Sequence, residues 1–168
     1  MAWLRVFNES EKYHDDHSIR DVLRYCMRSD KTNVELYGGW AVNPENAALE
    51  METFTKLANK DSGVRLRHFE ISFAPGRRIE PKQAAKIAKE CAKHYADDHQ
   101  IVYAVHTDKH HVHAHFVMNA LRYSDGMKYR GDKKDLYDFE AHCKTVFHRN
   151  GIKESLCLVH DTRTAAGE

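Results

Sequence analysis

Apolar positions along the chain keep two rhythms. Residues 65–74, RLRHFEISFA, alternate: Phe69, Ile71 and Phe73 fall on one side, His68, Glu70 and Ser72 on the other. That is a strand with one polar face. Residues 2–8 read as an opening strand, and residues 155–159 as a short strand closing the sheet. Residues 100–106 and 111–121 read as two strands joined by a tight turn at Asp108-Lys109.

Between these segments the period lengthens to that of a helix. Ile19, Val22, Leu23 and Cys26 predict a helix over 19–29, with Ser18 and Asp21 spaced as a capping box. Ala47, Met51, Phe54 and Ala58 form one stripe behind Asn43-Pro44, so 44–59 is expected to be helical. Pro81 opens a third helix that buries Ala84, Ile87, Ala88, Cys91 and Tyr95. Leu136, Phe139, Cys143, Val146 and Phe147 predict a last helix over 133–149. The stretch SDKTNVELYGGWAVNP reads as a long connection, and Asp125-Gly126 as a turn. The expected class is α+β, with helices packed on one face of a mostly antiparallel sheet.

Composition narrows the picture modestly. The chain has 168 residues, enough for one core, so residues 1–160 are expected to form a single domain. Residues 161–168 read as a polar tail or a boundary within a longer protein. A formal net charge of +1 excludes a global basic field, though a basic face remains open. Cys26, Cys91, Cys143 and Cys157 include no CxxC pair, and buried free thiols in a reducing, cytoplasmic compartment are expected. The N-terminus has no apolar signal-like region, and no apolar run is long enough for a membrane span.

Histidine is the compositional outlier, with 13 residues. Residues 106–119 read HTDKHHVHAHFVMN. On a strand, His111, His113 and His115 share one face, and Val112, Ala114 and Phe116 share the other. The apolar set suits a core. The imidazoles are costly to bury without partners, but together with His106 at the end of the preceding strand they can converge on one cation. Three imidazoles with open positions describe a catalytic metal site rather than a closed structural one. No cysteine lies nearby in sequence, which also speaks against structural zinc.

This segment resembles the metal motif of the relaxase (mobilization nuclease) family, within the HUH endonuclease superfamily. The family pattern is H-x-D, then His-hydrophobe-His, then Asn four residues on. It falls on His106, Asp108, His113, His115 and Asn119. LRYCMRSDKT resembles the family's tyrosine motif, Y-x-x-x-x-x-K-T, and places the tyrosine at Tyr25 and the basic residue at Lys31. Tyr25 also lies off the apolar stripe of its helix; Tyr13 and Tyr37 are the alternatives. The resemblance runs from about residue 15 to 152. His110 and His111 are extra beside the family's set, and His111 is the substitute if one of the three is not a ligand.

The resemblance implies a palm-like HUH fold and a metal-dependent transesterification on DNA. A tyrosine nicks one strand at a transfer origin and keeps the 5′-phosphate, for conjugative transfer or mobilization of a plasmid or integrative element. It implies Tyr25 as nucleophile, Asp108 as base or orienting group, and His106, His113 and His115 as ligands. The cofactor is a divalent ion, Mn²⁺ or Mg²⁺ first, with Zn²⁺, Co²⁺ or Ni²⁺ as others. Beside what the resemblance implies, His68 and Glu70, on the polar face of the neighbouring strand, join His111 and Asn119 as candidate accessory residues. Arg77, Arg78, Lys128, Arg130 and Lys31 are candidate DNA contacts, and Trp40, Tyr123 and Tyr129 candidate stacking platforms. The partners implied are single-stranded or hairpin origin DNA and accessory relaxosome and transfer proteins. Three rival readings stand beside it. One is a replication initiator or transposase, in which the tyrosine usually follows the histidines rather than preceding them. The others are a metal-stabilised nucleic-acid-binding module without catalysis, and a hydrolytic nuclease that leaves no adduct.

Overall fold

The computed structural model describes residues 1–7, 13–76 and 78–161. Six strands form one sheet in the order β2-β4-β5-β3-β1-β6. They are β1 (Ala2–Phe7), β2 (Tyr37–Trp40), β3 (Leu66–Ser72), β4 (His99–His106), β5 (His113–Arg122) and β6 (Leu156–Asp161). All pairings are antiparallel except that of β1 with β6. The α+β class and the mostly antiparallel sheet therefore stand as expected. Four helices complete the fold: α1 (Ser18–Cys26), α2 (Ala47–Leu57), α3 (Pro81–Ala92) and α4 (Lys133–Arg149).

The helices do not share one face. Phe69, Ile71, Ile101, Tyr103, Val105, Ala114, Phe116 and Met118 of the sheet pack with residues of α3 and α4. Leu66, Val102, Ala104 and Val117 pack instead with Ile19, Val22, Leu23 and Cys26 of α1 and with Ala47 and Met51 of α2. The alternation of Phe69, Ile71 and Phe73 marks the first face. The second is shared between apolar residues and histidines, and its apolar part is covered because central strands flanked on both sides have no solvent face to spare.

Three local departures have plain causes. YGGW lies within the stretch read as a connection, yet it pairs as β2 with β4, Gly39 opposite Val102. A Cβ on Gly39 would sit 2.7 Å from the Val42 carbonyl oxygen, so the chain needs glycine to fold back this closely. The capping box does not form: Ser18 is itself the first helical residue, and its hydroxyl donates to the Asp15 carbonyl at 2.8 Å. The helix expected over 44–59 begins as a 3-10 turn, Pro44–Asn46, where the Asn43 side chain accepts from the Glu45 amide. α4 and the short closing strand fall where the pattern put them.

β5 lies at the centre, between β4 and β3. Its register sets His113 opposite His106 on one side, and His115 opposite Glu70 on the other. Side chains of the candidate site thus project from three adjacent strands toward the end of α1.

Candidate metal centre and active site

His106, His113 and His115 are 0%, 2% and 3% exposed, so their rings must find partners inside the protein. Ring centroids lie 4.4 Å apart for His106–His115, 5.0 Å for His106–His113 and 5.1 Å for His113–His115. One nitrogen from each lies within 4.8 Å of the other two. Burial pulls all three pKa values below the ordinary histidine range, furthest for His115, whose neighbours His68, His106 and His113 add to the effect. Neutral imidazole is the metal-binding form.

The outer nitrogens are held. His106 Nε2 sits 2.7 Å from the Cys26 carbonyl oxygen, at the C-terminal end of α1. His115 Nδ1 sits 2.8 Å from His68 Nε2, and His68 Nδ1 3.0 Å from the Tyr13 hydroxyl. The remaining nitrogens, His106 Nδ1 and His115 Nε2, are buried without a hydrogen-bond partner. Two orphaned imidazole nitrogens in one cluster are what a cation would satisfy, so the donor set fits a divalent metal. His68 and Glu70 belong to this neighbourhood: Glu70 Oε2 lies 3.5 Å from His115 Nε2, and Glu70 Oε1 accepts from the Ser72 hydroxyl at 2.7 Å.

Tyr25 lies beside the cluster. Its ring meets His106 and His115 edge-on, with centroids 6.0 Å and 5.9 Å away. It is 37% exposed, unlike Tyr13 at 3%, so it can be reached from solvent. Tyr13 is committed to His68, and Tyr37 donates to Glu45 at 3.3 Å. Lys31 places its ammonium 5.1 Å from the Tyr25 ring centroid and donates to Asp108 at 2.7 Å. That bond raises the Lys31 pKa. Burial pushes the Asp108 carboxyl up, but the Lys31 hydrogen bond and charge leave it below the usual carboxylate range.

Other expected residues stand apart. Asn119 is fully buried; its amide donates to Gln100 at 3.1 Å, and its side-chain oxygen accepts from the Leu121 amide at 3.0 Å. Four residues beyond His115 along β5, it lies about 13 Å away at the rise of a strand. His111 instead flanks the site: its ring centroid lies 5.6 Å from that of His113 and its backbone carbonyl 3.4 Å from His113 Nδ1, although its ring is outside the converging set. Lys128 is spent on the loop carbonyls of Val64 and Ser62, at 2.7 Å and 3.3 Å. Arg78 and Arg130 are exposed, and Arg77 lies outside the described residues. Trp40 donates to the Lys89 carbonyl, Tyr129 to Asp135, and Tyr123 to the Ala96 carbonyl. Sequence reasoning missed Cys26 as a neighbour of the site; nothing in its helical spacing marks it except its position next to Tyr25.

A family model of the MobA/VirD2-like relaxase nuclease domain matches residues 25–152. Among curated proteins, one Staphylococcus aureus relative named Protein rlx is 36% identical over 78 residues, 46% of this chain and 24% of its own length. Another of the same name and organism is 27% identical over 158 residues, 94% of this chain and 38% of its own length. The chain thus spans less than half the length of these relatives. A solved structure described as the molecular basis of vancomycin resistance transfer in Staphylococcus aureus has a TM-score of 0.53 at 12% identity, over 72% of this chain and 73% of that one. That is a likeness of fold.

Proposed function

This chain belongs to the MobA/VirD2-like relaxase nuclease family, and on that premise we propose that it nicks one DNA strand at a transfer origin by tyrosine transesterification, for conjugative transfer or mobilization of a plasmid or integrative element. The observation that carries the reading is the meeting of a solvent-reachable tyrosine with three buried, converging imidazoles.

Tyr25 Oη attacks phosphorus and the bond from phosphorus to the 3′-oxygen breaks; the phenol proton passes to solvent, and the departing 3′-oxygen takes one up from it. The products are a 5′-phosphotyrosine and a 3′-hydroxyl, and the reverse path religates the strand. A phenol has a pKa of about 10, so the attacking group needs help. The Lys31 ammonium over the ring favours the phenolate. Asp108 acts through Lys31, holding it against Tyr25. His106, His113 and His115 would hold the cation, and His68 fixes the ring of His115 as ligand partners commonly do. When bound there, Mn²⁺ or Mg²⁺ would supply Lewis acidity to the scissile phosphate. Single-stranded or hairpin origin DNA is the substrate, with Arg78 and Arg130 as exposed phosphate contacts, and accessory relaxosome proteins are partners. Among the described residues no helix is long and apolar enough to cross a membrane, which is compatible with a cytoplasmic site of action.

A random pool of single-stranded oligonucleotides tests this without a chosen target sequence. The protein is incubated with the pool and Mn²⁺, then denatured, and covalent protein–DNA species are digested and sequenced by mass spectrometry. The adduct is expected on Tyr25 and absent from Tyr25→Phe, which keeps its DNA affinity. Cleavage without any adduct would mean hydrolysis and overturn the reading.

A further inference from the structure

A second set of donors lies on the same face of the sheet, beside the three-imidazole cluster. Cys26 Sγ is 3.9 Å from His68 Nε2, which is 2.8 Å from His115 Nδ1. One ligand atom from each of Cys26, His68 and His115 lies within 4.8 Å of the other two. The three residues are 1%, 6% and 3% exposed. We propose that Cys26, His68 and His115 form a second metal site, for a borderline or soft cation such as Zn²⁺, that competes with the three-histidine centre for His115.

The donor chemistry differs between the two sets. A thiolate with two imidazoles selects softer ions, whereas three imidazoles leave the choice wider. Zinc bonds of about 2.3 Å to sulfur and 2.0–2.1 Å to nitrogen hold tetrahedral donors about 3.3–3.6 Å apart. Cys26 and His68 would close by a few tenths of an ångström and the two imidazole nitrogens open by about half an ångström, while Cys26 and His115, within 4.8 Å, would draw into the same range.

His115 decides between the sites through its single ring proton. With that proton on Nδ1, the ring donates to His68 Nε2, and Nε2 is left for the centre with His106 and His113. With the proton on Nε2, the ring faces the Glu70 carboxylate 3.5 Å away, close enough for charge to favour that proton though not hydrogen-bonded as the structure stands. Nδ1 then joins His68 Nε2 and Cys26 Sγ. A neutral ring cannot serve both. Filling the thiolate site releases the Cys26 thiol proton to solvent and moves the His115 proton from Nδ1 to Nε2 by exchange. The catalytic centre then loses one of its three ligands beside Tyr25. That last consequence rests on the proposed function; the binding itself does not.

Co²⁺ titration of the metal-free protein tests it, since a thiolate bound to Co²⁺ adds a near-ultraviolet charge-transfer band that imidazoles do not give. The band is expected in wild type and is expected to be lost in both Cys26→Ser and His68→Gln. Mn²⁺ binding, read by electron paramagnetic resonance, is expected to survive in Cys26→Ser. Absence of the band in wild type, where no folding defect intervenes, would overturn the proposal. So would a band that persists in Cys26→Ser, because the thiolate would then come from another cysteine. Absence of Mn²⁺ binding in wild type with the band intact would instead count against the three-histidine centre alone, so the two claims fail separately.

Discussion

Lys31 spans two acidic groups of the site, with its ammonium 2.7 Å from Asp108 and 5.1 Å from the centre of the Tyr25 ring. If its charge eases formation of the phenolate, Lys31→Met slows adduct formation by about 10–100-fold, a loss of about 1.4–2.7 kcal/mol of transition-state stabilisation. Its affinity for Mn²⁺ stays at the wild-type value, because Lys31 is not a ligand. Parallel measurement of single-turnover rate and metal affinity checks this; an equal loss in both would make Lys31 part of the metal centre's support. At this scale much was legible. Alternation on a strand puts His113 and His115 on one face, and the motif adds His106. Their pairing with His68 and Glu70 follows once β3 is set beside β5, which sequence spacing alone does not specify. The approach of Cys26 was hidden, because a helix from far upstream delivers it.

β2 shows what an element needs when its sequence carries little pattern. YGGW has neither alternation nor β-branched residues, and read as a connection, yet Gly38 and Gly39 let it lie against β4. A methyl on Gly39 would meet the Val42 backbone oxygen at 2.7 Å, and backbone cannot rotate away as a side chain can. Gly39→Ala is expected to lower stability by about 1–3 kcal/mol, as overpacking does, measured as a fall in the urea midpoint at unchanged slope. An unaltered midpoint would mean that this edge relaxes freely. The helices were far more legible, since four or five apolar residues at helical spacing mark each one. Their termini were less so: the first turn of α1 takes its hydrogen bond from Ser18 to Asp15 rather than from a box.

Across the whole molecule the sheet separates two apolar layers, with α3 and α4 on one side and α1 and α2 on the other. That division was not readable because the second layer interleaves Val102, Ala104 and Val117 with histidines, so its strands look polar on that face. Burying the histidines has a global cost. His94, His99, His106, His113 and His115 all have pKa values pulled below the ordinary histidine range by burial. Below a pH of about 6.5 the unfolded chain takes up protons at these positions that the folded chain does not. Stability without metal is therefore full above that pH and falls as the pH drops through it. Urea midpoints from pH 8 to pH 5 are expected to decline below neutrality, and a flat profile would show that the rings protonate in place. The metal centre proposed for the three imidazoles of β4 and β5, beside Tyr25, is what the function depends on. Calorimetric titration of Mn²⁺ into metal-free protein, wild type against His113→Ala, tests it most directly. One site in wild type, lost in a folded His113→Ala, is the predicted result; no binding, or binding untouched by that substitution, would contradict it.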